Sequence, residues 1–368
     1  VPALAIELSP ETWDAAVEGK TVLGLPNVAL DLASLYEDVV KTVILLHGDR
    51  PGNPPFPLGL VSGSPDPAPA NVVFPEGLFS ITRGATNAFG FSVHWLMWRN
   101  EDMELVQTPY DLRPMEHYLD TPPWWHTMKK ALFYYDGFTT KTHKAMMQVS
   151  LDPSIGPAQL MGFEDDYAEI YEWLHTLSPP AYQGPVNARR ATAGADVYAS
   201  NCAQCHGQPG PGGEYHDRMS PIDEVQTDRG RLDGLSPQFR AHYKRSWLGD
   251  YSNAAITVRP VGYVAPPLDG IWASAPYLHN GSVPTLYHLL FADERPPVWR
   301  VRDYDRYDHD QLGLVVDSFE AMPSTASRFE KRRFYDTSQP TLGNEGHRFA
   351  DELSREERYQ LLEYLKTL

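Results

Sequence analysis

Three observations predict a mainly helical fold with long irregular loops and few strands. The 368 residues include 33 prolines and 27 glycines, and because proline lacks the amide donor that helix interiors and sheet ladders require, so many of them point to ordered connections between helices. The C-terminal run LSREERYQLLEYLKTL places Leu361, Leu362, Leu365 and Leu368 on one helical face behind a Ser354–Glu357 capping-box signature. Its ending EYLKTL is nearly repeated as EWLHTL at Glu172–Leu177, where Ser178-Pro179-Pro180 stops the chain. The two matching endings divide the molecule into two related halves, residues 1–182 and 183–368, joined through the loop AYQGPVN.

Length allows two domains with a substantial core. Acidic residues outnumber basic ones 48 to 31, for a net charge of -17, so nucleic acid and anionic membrane surfaces are excluded as partners and a basic docking partner is favoured. The longest apolar stretch, VVKTVILLHG, is short and carries Lys41, so no transmembrane segment is predicted. The opening VPALAIELSP has neither an initiator Met nor a leader pattern and reads as a mature, exported chain.

Along the first half, the acidic runs YEDVV and FEDDYAE read as solvated faces or helix starts, as does RDYDRYDHD in the second. TPPWWHTMKKALFYYDG gathers Trp124, Trp125 and His126 with two lysines and three further aromatics; packing is the ordinary role of such residues. His94, His126 and His143 lack the Cys or carboxylate spacing of a metal site and read as structural. No cysteine occurs before residue 202, so the first half has no covalent cofactor attachment.

Both cysteines lie in NCAQCHGQPG, where Cys202 and Cys205 are directly followed by His206. This is the C-x-x-C-H attachment pattern of c-type haem: two thiols on one helical turn each add to a vinyl group, and the adjacent imidazole reaches the iron from the same side. A thioredoxin-like dithiol would open a helix after a strand, and a zinc half-site would need a second ligand cluster, which the sequence lacks. One motif predicts one covalent haem c. Walker A, G-x-S-x-G and H-E-x-x-H signatures are absent.

Gly194, Val197 and Tyr198 ahead of the cysteines resemble the N-terminal helix of class I cytochromes c, which in that family crosses the C-terminal helix. APPLDGIWASAPYLHNGSVPTLYHLL (Ala265–Leu290), FYDTSQPTLGNEGHRF (Phe334–Phe349) and the Thr121–Gly137 stretch resemble the di-haem cytochrome c peroxidase superfamily, and most closely its rubber-oxygenase branch. The resemblance implies two tandem class I cytochrome c-like domains, the N-terminal one lacking a covalent haem site. In that superfamily the C-terminal haem is six-coordinate and handles electrons, while the N-terminal haem meets peroxide or oxygen.

The branch takes its distal ligand from the G-N-E-G-H segment, which implies His347, with Met322 as the second candidate. No Met follows the P-Y-L-H motif in LLFADERPP, the place the peroxidases use. His279, His288 and Met219 complete the candidates; His279 reads as a hydrogen-bonding residue near the haem edge and His288 as an ordinary helix residue. Trp124 or Trp125 corresponds to an aromatic residue that the family places between its haems. A calcium ion, which the peroxidases hold between domains, stays open here without an EF-hand pattern to support it.

The expected function is electron transfer by a mono-haem cytochrome or subunit, periplasmic or extracellular, serving a redox protein, a larger complex or a haem-bearing subunit. The alternative is a haem peroxidase or oxygenase that uses this haem or a partner chain's.

Overall fold

A glycine lets two helices touch at the centre of the second half. In the computed structural model, which describes residues 85–87, 94–113, 117–150, 156–326, 328–331 and 333–368, the helix Ala188–Asn201 starts at Asn187, whose side chain accepts the Arg190 amide. The C-terminal helix Arg355–Leu365 carries the expected capping box: Ser354 accepts the Glu357 amide and the Glu357 carboxylate accepts the Ser354 amide at 2.8 Å. The two helices cross as the resemblance implied. At the crossing, a Cβ on Gly194 would stand 2.0 Å from the Gln360 carbonyl oxygen.

Leu361, Leu362 and Leu365 are buried there in one cluster with Tyr198, Ile271, Leu286 and Leu290. Gly194→Ala must therefore push the helices apart; we expect a loss of about 1–3 kcal/mol, typical of overpacking, measured by denaturant unfolding of the haem-loaded protein. An unchanged midpoint would show that the crossing yields freely.

Strand content departs from the expectation of few strands. Val298–Asp308 pairs antiparallel with both Gly313–Phe319 and Phe334–Asp336 in a three-stranded sheet. RDYDRYDHD thus lies mostly in the central strand rather than at a helix start. Its charges hid the alternation of Trp299 and Val301, both buried, with Arg300 and Arg302. Trp299 stacks flat on Tyr335 at 5.0 Å, its indole donates to the Ser282 carbonyl, and the Tyr335 hydroxyl donates to the Asn280 carbonyl. The sheet thereby fixes the HNGS segment of the P-Y-L-H-N-G-S run.

The earlier helix, Glu164–Leu174, has Glu164, Asp165 and Asp166 in its first turn, as FEDDYAE suggested, and buries Leu174. It packs against the short helices Trp124–Met128 and His143–Met146, and Trp173 near its end is 58 % exposed. Apart from residues 106–109, the described residues on either side of position 182 belong to one compact unit. The apolar stretch around Lys41, the run Tyr36–Val40 and the side chain of His94 lie outside the described residues.

Candidate functional site

The attachment helix ends at Asn201, and Cys202 opens a single turn, Ala203–His206, that closes on Gly207. That turn aims Cys202, Cys205 and His206 into one cavity that is open to solvent at its mouth. The Tyr198 hydroxyl donates to the Gly207 carbonyl at 2.8 Å and holds the turn against the helix. Burial pushes the Cys202 thiol up to about 11, so in the folded chain the free thiol stays protonated.

His206 Nδ1 lies 2.7 Å from the Pro266 carbonyl oxygen. This contact makes Nδ1 the protonated nitrogen and leaves the Nε2 lone pair for a metal. Burial lowers the basicity of His206, and the Pro266 carbonyl partly opposes that. His347 borders the same cavity, with its ring centre 6.2 Å from that of His206. Two imidazole nitrogens bound to opposite sides of one metal, at roughly 2 Å each, put their ring centres about 6 Å apart once roughly 1 Å is added per ring. The observed spacing fits an iron held between them.

Burial first, then the nearby His206 and Arg295, push His347 down to about 3, so its imidazole is neutral and available as a ligand. Backbone geometry presents it. Gly346 and His347 both have positive φ, 74° and 47°, and a Cβ on Gly346 would collide with the Gln226 carbonyl carbon at 2.3 Å, so only glycine fits there. The His347 amide donates to the Val225 carbonyl at 2.7 Å.

Two side chains that the sequence did not single out hold this loop. Arg295 donates to the carbonyls of Asn344 at 2.6 Å and Gly346 at 2.8 Å, and the Asn280 amide donates to that of Gly343 at 2.9 Å. Asn280 lay within the recognised Ala265–Leu290 motif without a role of its own; Arg295 carried no local signal, since its partners are about fifty residues away.

The other candidates are placed elsewhere. Met322 sits half-buried in the loop that follows the strand Gly313–Phe319, and Met219 in the short strand Met219–Pro221 beside Gly137; neither borders the cavity. His288 lies in a helix capped by Thr285, whose hydroxyl accepts the His288 amide and sits 2.7 Å from its ring Nδ1, and it also stands outside. His279 does border the cavity, stacked on Tyr263 at 4.1 Å. His126 reaches it too, with Nε2 2.8 Å from the Asp269 carbonyl, which also accepts the Trp125 indole. Trp124 is 54 % exposed, and His143 pairs with Glu164. Among the described residues no group of three or more His, Cys, Asp or Glu is arranged to hold a metal ion, so the calcium expectation gains no support there.

Comparison with known proteins gives matches on both sides of the cavity. A family described as "RoxA-like, cytochrome c-like" matches residues 262–300, and "Cytochrome C oxidase, cbb3-type, subunit III" matches residues 189–243. These matches show cytochrome c-like domains in this chain and support haem and iron binding. Among curated proteins, the uncharacterized protein y4iM of Sinorhizobium fredii is 30% identical over 56% of this chain and 52% of its own length. Its counterpart y4iJ from the same organism is 28% identical over 52% and 41%. The chain spans about half the length of these curated relatives. No described helix is long and apolar enough to cross a membrane.

Proposed function

We propose that this chain, a relative of the rubber-oxygenase-like cytochromes c, is an electron-transfer cytochrome or electron-transfer subunit with one covalent haem c. Cys202 and Cys205 attach it, and His206 and His347 are its axial ligands. The observation that carries this reading is the pair of half-buried imidazoles, both of lowered basicity, whose ring centres lie 6.2 Å apart across one cavity. The haem supplies a one-electron ferric–ferrous couple. His206 is oriented by the Pro266 carbonyl, and His347 is presented by a loop that Arg295 and Asn280 hold. Filling both axial positions from the chain excludes oxygen and peroxide from the iron, which leaves electron transfer as its task.

The same proposal places the protein in the periplasm or outside the cell and divides it into residues 1–182, without a covalent haem, and 183–368, with one. Its partner is a redox protein, for which the -17 charge favours a basic surface. The match of residues 262–300 to the rubber-oxygenase-like family supports a second reading, a peroxidase or oxygenase whose reactive haem is this one or a partner's.

Intact mass with optical and EPR spectra tests both. We expect one haem per chain, low-spin in both oxidation states and inert to carbon monoxide and peroxide. A high-spin ferric fraction with peroxide turnover would replace the carrier by the enzyme.

A further inference from the structure

The cavity is bordered by two groups of residues of different character. One belongs to the main core cluster, with Ile271, Leu286 and Leu361 around Cys202. The other consists of the polar side chains of Thr227, Lys130 and His279, which also line the cavity. Thr227 is 5 % exposed and its hydroxyl has no hydrogen-bond partner. Lys130 is 7 % exposed, and its ammonium makes no ion pair or hydrogen bond among the described residues; Asp217 and Asp136 act on it only at longer range. His279 Nε2 is likewise unpartnered, 3.7 Å from an Asp228 oxygen.

A buried donor without an acceptor is costly, and a buried cation without a counter-charge is costlier. Donors on the cavity lining, with an ammonium among them, call for an anionic group that only accepts hydrogen bonds. The sole part of a haem with that chemistry is its pair of propionate carboxylates, whereas its macrocycle suits the apolar wall.

We propose that Lys130 and Thr227 are the receptors of the haem propionates, Lys130 as the ionic partner and Thr227 as a hydroxyl donor; this rests on the reading that the cavity holds haem. Asp120, also on the lining, opposes it little, because burial raises its carboxyl well above the ordinary range and so disfavours its charge. Lys130 comes from the cysteine-free half of the sequence. That half thus completes the haem site of the other, a role that requires no second haem.

The test uses the matured holoprotein and three variants, Lys130→Met, Lys130→Arg and Thr227→Val, each first checked for covalent haem by intact mass. The propionate-bending bands in resonance Raman spectra should move in Lys130→Met and Thr227→Val and return in Lys130→Arg. Loss of the positive charge should also favour ferric iron about tenfold at a fixed potential, a negative midpoint shift of about 59 mV for one electron. Thr227→Val is nearly isosteric and keeps the question answerable if Lys130→Met does not fold. Haem-loaded variants with wild-type propionate bands overturn the assignment even if the midpoint moves, because a charge acts on the iron through space as well. Wild-type protein without covalent haem overturns the reading beneath it, and this proposal with it.

Discussion

His347→Ala is expected to abolish the six-coordinate, low-spin spectrum almost completely. Ferric iron should become high-spin or water-ligated, and ferrous iron should bind carbon monoxide, which the parent excludes. Added imidazole should restore the low-spin form, because the deletion leaves a ligand-sized space opposite His206. The substitution isolates ligation from folding better than most: alanine pays the same backbone penalty as histidine at φ 47°, and Arg295 and Asn280 grip the loop through its carbonyls rather than through the His347 side chain. An unchanged six-coordinate spectrum would remove His347 from the iron. Since Met322 and Met219 do not border the cavity, the ligand would then have to be His279 or His126, the other two imidazoles on its wall.

What could be read from the sequence followed the range of the interactions involved. Cys202, Cys205 and His206 act within one helical turn, so their spacing alone shows their chemistry. The C-terminal helix was equally plain, since its leucine face and its capping box are local patterns that the structure reproduces. His347 came only through the resemblance of its Gly-rich segment to a known branch; nothing in that segment says which surface it faces. Its position depends on Arg295, Asn280 and the Val225 carbonyl, each from a distant part of the chain.

The sheet was missed because charged residues on the exposed side of Val298–Asp308 masked a period-two strand pattern, while the stacking of Trp299 on Tyr335 that anchors it is long-range. The polar wall of the cavity was hidden for a related reason. Lys130 reads as one of two adjacent lysines, yet Lys129 pairs with Asp269 at 2.7 Å, while Lys130 is buried with no ion pair among the described residues. Only the fold separates the two.

Asp136→Ala should be among the most damaging substitutions in the described residues. Asp136 is completely buried and stands between two cations, Arg240 Nη2 at 2.6 Å and Arg231 Nε at 3.2 Å. Burial alone would raise its carboxyl, but Arg231 and Arg240 together overcome that and hold it below the ordinary carboxylate range. Removing the aspartate leaves two arginines with almost no exposed surface facing each other, and breaking a buried pair in this way costs about 3–5 kcal/mol. That is a large part of the roughly 5–15 kcal/mol that holds a typical domain folded.

The sign of the pH dependence follows from the depressed carboxyl. The stabilisation is fully present above the ordinary carboxylate range and is lost as pH falls through the folded-state value. Denaturant unfolding of the haem-loaded protein should therefore show Asp136→Ala far below the parent at neutral pH, with the gap narrowing in acid. A loss under about 1 kcal/mol, of the size usual for an exposed pair, would show that water reaches the two arginines. The ion triad also ties residue 136 to the helix Pro237–Arg245 through Arg240. The variant should consequently loosen the segment that carries Lys130, so a disturbed propionate signature accompanying the loss of stability would link the buried triad to the haem site.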